Sequence, residues 1–218
     1  MTLPPLESFG PRIMICGTSN TGKSTFATAL SRKLGYPAVH LDQFRHLPNT
    51  DWVERSDAEF KALHDEAILG DRWVMEGNYS FLMPQRLRRA TGIFLLADNR
   101  IANFVRYLRR TLFETDRLGS LEGNHDSLKW EMVHWVLVRA PKGAARMRRS
   151  LPAAGLPFAE FASMGALKRA YQTWVLARPW ARGAAPSTPS AVSSPASPKE
   201  SRPRGRVTER RRAKSIAH

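Results

Sequence analysis

With 218 residues, a net charge of +15 and 42% hydrophobic residues, the chain is long enough for one α/β unit plus an extension. No run of 18 apolar residues occurs, which excludes a membrane-spanning helix on length; residues 1–10 lack the basic-then-apolar order of a secretion signal, which points to a cytoplasmic location. The single cysteine, Cys16, excludes an internal disulfide and a cysteine-rich zinc site, and its place between an apolar run and a glycine reads as a small buried side chain.

Residues 12–16, flanked by Pro11 and Gly17, predict a buried strand of a parallel sheet. Residues 23–34 predict a helix with Ala27, Leu30 and Leu34 on one face and Gly35 as its stop. A second apolar strand is expected over 37–41, ending at Asp42. Ser56 followed by Glu59 is a capping-box pattern that opens a helix running to about Leu69. Residues 72–75 predict a third strand leading into Glu76, Gly77, Asn78, Tyr79 and Ser80. A helix through 86–89 and a fourth strand over 92–97 follow.

Further on, the pattern predicts a helix over 99–113, a polar loop over 114–126, and a long helix interrupted near Pro141. A fifth strand is expected over 156–162 and a last helix over 165–176. This alternation argues for a three-layer α/β sandwich with a five-stranded parallel sheet in one domain, residues 1–182, joined by right-handed crossovers.

From 183 onward Pro, Ser and Ala dominate and no Phe, Trp, Tyr or Leu occurs, so this segment reads as a disordered tail. It holds eight Lys or Arg and two Glu, +6 of the net charge, which leaves +9 for the domain. Excess cations suit a protein that handles phosphates and do not by themselves imply nucleic acid.

Gly17, Thr18, Ser19, Asn20, Thr21, Gly22, Lys23 and Ser24 match G-x-x-x-x-G-K-[ST] at every fixed position, with Thr25 next in the helix. The glycines let the backbone fold into a nest of N–H groups around an anion, and the helix opening near Lys23 adds its positive end. Lys23 can reach the β- and γ-phosphates, and the Ser24 hydroxyl is placed to ligate magnesium. A buried strand before the motif and a helix after it supply the context it needs. The pattern points to ATP and Mg2+.

With these residues the chain resembles the adenylate-kinase-like group of P-loop kinases, and within it the small bacterial DNA topology modulation proteins. The likeness spans residues 11–176 and is carried by the phosphate loop, by Val39, His40, Leu41 and Asp42, by Trp73 through Ser80, and by Arg106 to Arg110. It implies a nucleoside-monophosphate-kinase-like fold and a lid at about 106–126. There Arg106, Arg109 and Arg110, with Arg117, would bring charge to the transferring phosphoryl group. Asp42 would bind the acceptor hydroxyl or magnesium, and Glu76 would hold magnesium through water where relatives often have Asp-Gly. Relatives also tend to carry an arginine after Gly-Asn-Tyr-Ser; here that residue is Phe81, and either Arg86, Arg88 or Arg89 replaces it or the acceptor differs.

The histidines carry less. His40, inside a strand, reads as a packed core residue, and His125 and His134 lack ligand spacing for zinc. Trp130, Met132, Val133 and Trp135 read as core filling on a helix.

Two functions are compatible with these features. One is a kinase moving the γ-phosphoryl of ATP to a small acceptor, with Lys23, Asp42, Arg106 and Arg110 in the chemistry and Ser24 and Glu76 at the metal. The other is a nucleic-acid-associated protein with an ATP-dependent switch, supported by the basic tail and the family likeness. The acceptor is not identified, although Tyr79, Phe81 and Phe44 can line a flat one. The tail has no aromatic residue to stack on bases, so it can hold only phosphates. If half of its eight cations contact DNA, log affinity should fall with log salt at a slope of about −3 to −4, from roughly 0.9 per neutralised phosphate. Filter retention across a salt series, with and without residues 183–218, measures it; undiminished retention by the truncated chain would remove the tail from DNA binding.

Overall fold

The protein, as a computed structural model, is described over residues 3–50, 52–97 and 140–177. The segments expected as helix 99–113 and lid 106–126 lie outside these residues, and with them Arg106, Arg109, Arg110, Arg117, His125, His134 and the Trp130–Trp135 stretch. So does the tail from 183.

Five parallel strands stand in the order β2-β3-β1-β4-β5: β1 (Arg12–Gly17), β2 (Ala38–His40), β3 (Trp73–Glu76), β4 (Gly92–Leu96) and β5 (Phe158–Phe161). The described helices are α1 (Lys23–Leu34), α2 (Leu41–Arg45), α3 (Asp57–Ile68), α4 (Met83–Arg89), α5 (Ala140–Ser150) and α6 (Met164–Thr173). Short 3-10 turns cover Leu6–Phe9 and Pro152–Ala154. This is the predicted α/β P-loop fold. None of the described helices is long and apolar enough to cross a membrane.

Both faces of the sheet are dry, and the strand period explains how. Along β1, Ile13 and Ile15 join one core with Phe26, Leu30, Phe94, Leu96, Phe161 and Trp174. Met14 and Cys16 point the other way, into a second core with Phe60, Trp73, Met75, Ile93 and Leu95. α1 and α6 cover the first face; α3 and α4 cover the second. Burial pushes the Cys16 thiol up, away from the reactive thiolate, in keeping with a packing role.

Two boundaries differ from the sequence expectation in ways that matter for the site. β2 ends at His40, because Leu41 turns into a short helix and is fully buried. The turn is tight against residue 77: a Cβ on Gly77, whose φ is +135°, would stand 2.9 Å from Leu41 Cβ. Asp42 therefore sits in the first turn of α2 and is exposed, rather than closing the strand. β3 extends one residue further than expected and ends on Glu76 itself. The α3 capping box forms as predicted: Glu59 N–H donates to Ser56 Oγ at 3.2 Å, and Ser56 N–H to Glu59 Oε2 at 3.1 Å.

Phe26 anchors α1 to the sheet, with ring centroids 5.6 Å from Phe94, 5.5 Å from Phe161 and 6.3 Å from Trp174. Phe26→Ala should cost about 3–5 kcal/mol, the usual range for a fully buried aromatic. A denaturant midpoint lowered at constant m-value checks it; an unchanged midpoint would show that α1 is not held by this cluster.

Candidate functional site

The carboxyl ends of β1, β2 and β3 meet at the start of α1, where parallel α/β sheets place their ligands. β1 ends at Gly17, where φ is +144° and a Cβ would lie 1.9 Å from the Leu96 carbonyl oxygen; only glycine fits. The next amide, Thr18 N–H, donates to that same oxygen at 3.1 Å and ties the loop to β4. Thr21 Oγ donates to the Thr18 carbonyl at 2.7 Å, and Lys23 Nζ lies against it at 2.9 Å. α1 begins at Lys23, and the first-turn amides of a helix have no intrahelical acceptor. The loop, the helix end and the lysine converge on one small volume suited to a phosphate chain.

Beside it lies a buried carboxylate. Glu76 is 3% exposed, and its Oε1 accepts from Ser24 Oγ at 2.9 Å and stands 3.0 Å from His40 Nδ1. The ladder dictates this meeting: Glu76 is in register with Ile15 on one side and His40 on the other. Burial pushes the Glu76 carboxyl up, but the His40 ring, the Lys23 ammonium and the Ser24 hydroxyl outweigh it and hold it below the usual carboxylate range. His40 is thus more than packing: it is buried, as expected, yet its polar edge fixes the glutamate. Only the strand order β2-β3-β1 reveals that, and no sequence spacing encodes it.

Residues 77–79 bridge the phosphate loop to the other half of the site. Asn78 acts as a surrogate strand for Gly17: its Oδ1 accepts from Gly17 N–H at 3.0 Å and its Nδ2 donates to the Gly17 carbonyl at 2.8 Å. Tyr79 donates its hydroxyl to Asp42 Oδ1 at 2.7 Å and packs on Phe60 at 4.7 Å between centroids. Burial and the Asp42 carboxylate push the Tyr79 phenol up, so it donates as a neutral hydroxyl.

Arg86 holds this bridge from beneath. It is fully buried, and its guanidinium donates to the carbonyls of Gly77 at 2.6 Å, Asn78 at 2.7 Å and Tyr79 at 3.2 Å. Arg86 is a strut under the loop, and Arg89 donates to the carbonyls of Ile68 and Leu69. Arg88 is exposed and lines a groove with Asp65, Glu66 and Leu69 at the far end of α3. Phe81 is 54% exposed.

The donors present fit a nucleotide with magnesium. A serine hydroxyl beside an ionised carboxylate is a hard oxygen set, which suits Mg2+ shared with phosphates rather than a caged metal. No group of three His, Cys, Asp or Glu able to enclose a metal occurs among the described residues.

No protein-family model matches the chain, and no curated protein matches it. Among solved structures it is similar to a shikimate kinase from Bacteroides thetaiotaomicron, at 18% identity over 76% of this chain and 99% of that one, with a TM-score of 0.45. A shikimate kinase from Acinetobacter baumannii in complex with shikimate shows 14% identity over 78% and 96%, with a TM-score of 0.49. A gluconokinase from Sinorhizobium meliloti 1021 shows 18% identity over 66% and 96%, with a TM-score of 0.38. At these identities and scores none of them says which acceptor this chain uses, and the likeness to DNA topology modulation proteins finds no support in them.

Asn78→Ala removes both bonds to Gly17 and leaves a partly buried N–H and C=O to find other partners, each worth about 1–3 kcal/mol if unmet. ATP affinity should fall by about ten-fold or more, and the thermal midpoint should drop. Asn78→Asp keeps the acceptor and loses the donor, so it should fall between. Calorimetric titration of the three proteins checks the order; an alanine variant with unchanged affinity would show that the loop holds its shape without Asn78.

Proposed function

We propose that the chain is an ATP-dependent phosphotransferase that moves the γ-phosphoryl group of ATP to the hydroxyl of a small acceptor. The observation that supports it best is the Ser24–Glu76 pair set behind a complete phosphate loop, because a hydroxyl and a buried anion at that spot serve a nucleotide-bound divalent cation. In this reading residues 17–25 bind the triphosphate. Lys23 exchanges the Thr18 carbonyl for phosphate oxygens. Mg2+ held by Ser24, with Glu76 behind it, would neutralise charge on the phosphates.

Asp42 faces the acceptor. It orients the hydroxyl and takes its proton as the new P–O bond forms and the bond to the departing ADP oxygen breaks. Tyr79 keeps the carboxylate in place, and His40 does the same for Glu76. Arg106 and Arg110, from the lid segment, complete the reading as cations that meet the charge developing in transfer. The nucleic-acid reading rests on the tail composition alone, and nothing among the described residues adds to it.

Lys23→Ala should leave the fold intact, since the side chain is only partly buried, and should weaken ATP–magnesium binding by roughly 2–4 kcal/mol, about 30- to 900-fold. Calorimetry with circular dichroism as the fold control measures it. Wild-type affinity in the variant would mean that the loop is not a nucleotide site.

A further inference from the structure

On the kinase reading the acceptor lies at the β2–β3 side, bounded by the segments that follow those strands, residues 41–56 and 77–86. These hold three arginines and no lysine. A kinase for a carboxylic acid or a phosphate ester needs a cation there, and guanidinium forks are the usual choice. Here each arginine faces the protein. Arg86 is buried under three loop carbonyls. Arg55 Nη1 donates to the carbonyls of Gln43 at 3.0 Å, Phe44 at 2.9 Å and His46 at 2.6 Å, stapling the strap that connects α2 to α3. Arg45 grips Glu54 with one nitrogen and Asp57 with another, while its guanidinium lies 5.6 Å from the Phe60 centroid. His46 is engaged as well, with Nδ1 3.0 Å from the Asp42 carbonyl and Nε2 3.8 Å from Glu54.

What these segments turn outward is of the opposite kind. Asp42 is exposed, its carboxylate held at one oxygen by Tyr79, and Phe81 offers an open aromatic face two residues on. An acceptor entering here meets a fixed anion, a phenol oxygen and an aromatic surface. A hydroxyl can donate to that anion and an ammonium can pair with it, whereas a carboxylate or phosphate is repelled.

We infer that the acceptor is an uncharged or amine-bearing alcohol, read by the Asp42–Tyr79 pair, and not a carboxylic acid or phosphate ester. Asp42 is then a specificity-determining residue as well as the group that takes the hydroxyl proton.

Matched acceptors test this with the full-length protein. Calorimetry first establishes ATP–magnesium binding; without it the kinase reading itself falls. ADP release is then measured for adenosine against AMP, glucose against gluconate, and 3-aminopropanol against 3-hydroxypropionate, with shikimate as a further acid. Calorimetric binding of each compound in the presence of ADP gives a readout independent of turnover. The expected result is at least a ten-fold preference in kcat/KM or affinity for the uncharged or amine member of a pair. Asp42→Asn should bring that ratio toward one whatever it does to rate. Preference for the acids, or no difference within any pair while ATP binds normally, overturns the acceptor inference and leaves the kinase reading standing.

Discussion

A buried carboxylate cannot stay charged in a dry interior unless hydrogen-bond donors surround it. Glu76 imposes that condition at the point where three strands end, and the site is arranged around meeting it. Ser24 of α1 and His40 of β2 supply the side-chain hydrogen bonds and the nearby Lys23 ammonium adds charge, so the anion joins elements that are separated in the chain. Together they hold the Glu76 carboxyl below the usual carboxylate range although it is buried.

The same economy governs the backbone. Past β3 the Gly77 N–H still donates to the Ile15 carbonyl of β1 at 3.2 Å, but the carbonyls of residues 77–79 must find donors elsewhere. Arg86 supplies the donors from inside the core, at the cost of burying a guanidinium, which pulls its pKa down from the ordinary value. Asn78 then extends the sheet by one residue through its side chain and clasps Gly17. Because Tyr79 bonds to Asp42 two residues past β2, this short loop ties the phosphate loop to the start of α2.

Charge in this chain is a poor guide to partners until its use is known. The excess of cations suggests an avid binder of anions, yet Arg55 and Arg86 donate to the protein's own carbonyls and Arg45 pairs with its carboxylates. Their role is structural: a guanidinium has five donors in a rigid fork and can replace several missing backbone bonds at once. Beside Tyr79 it is an acid, Asp42, that is turned outward.

The local signals in the chain determined the fold. Continuous apolar runs at 12–16 and 92–97, the Ser56–Glu59 capping box, the stop at Gly35 and the phosphate-loop spacing each act within a few residues, so they are legible without contacts. The nucleotide half of the candidate site came with them, since Gly17, Gly22, Lys23 and Ser24 are set by adjacent backbone. What tertiary structure decided is everything that depends on strand order. His40 reads as core until β2 is seen beside β3; Arg86 reads as a surface or acceptor-facing cation until it is found beneath residues 77–79; Asn78 gives no hint of Gly17, 61 positions away. Asp42 shifts from strand end to helix turn because Leu41 packs against Gly77. Pairings across such distances follow from which strands lie side by side, and that is settled by packing both faces of the sheet rather than by any run of neighbouring residues.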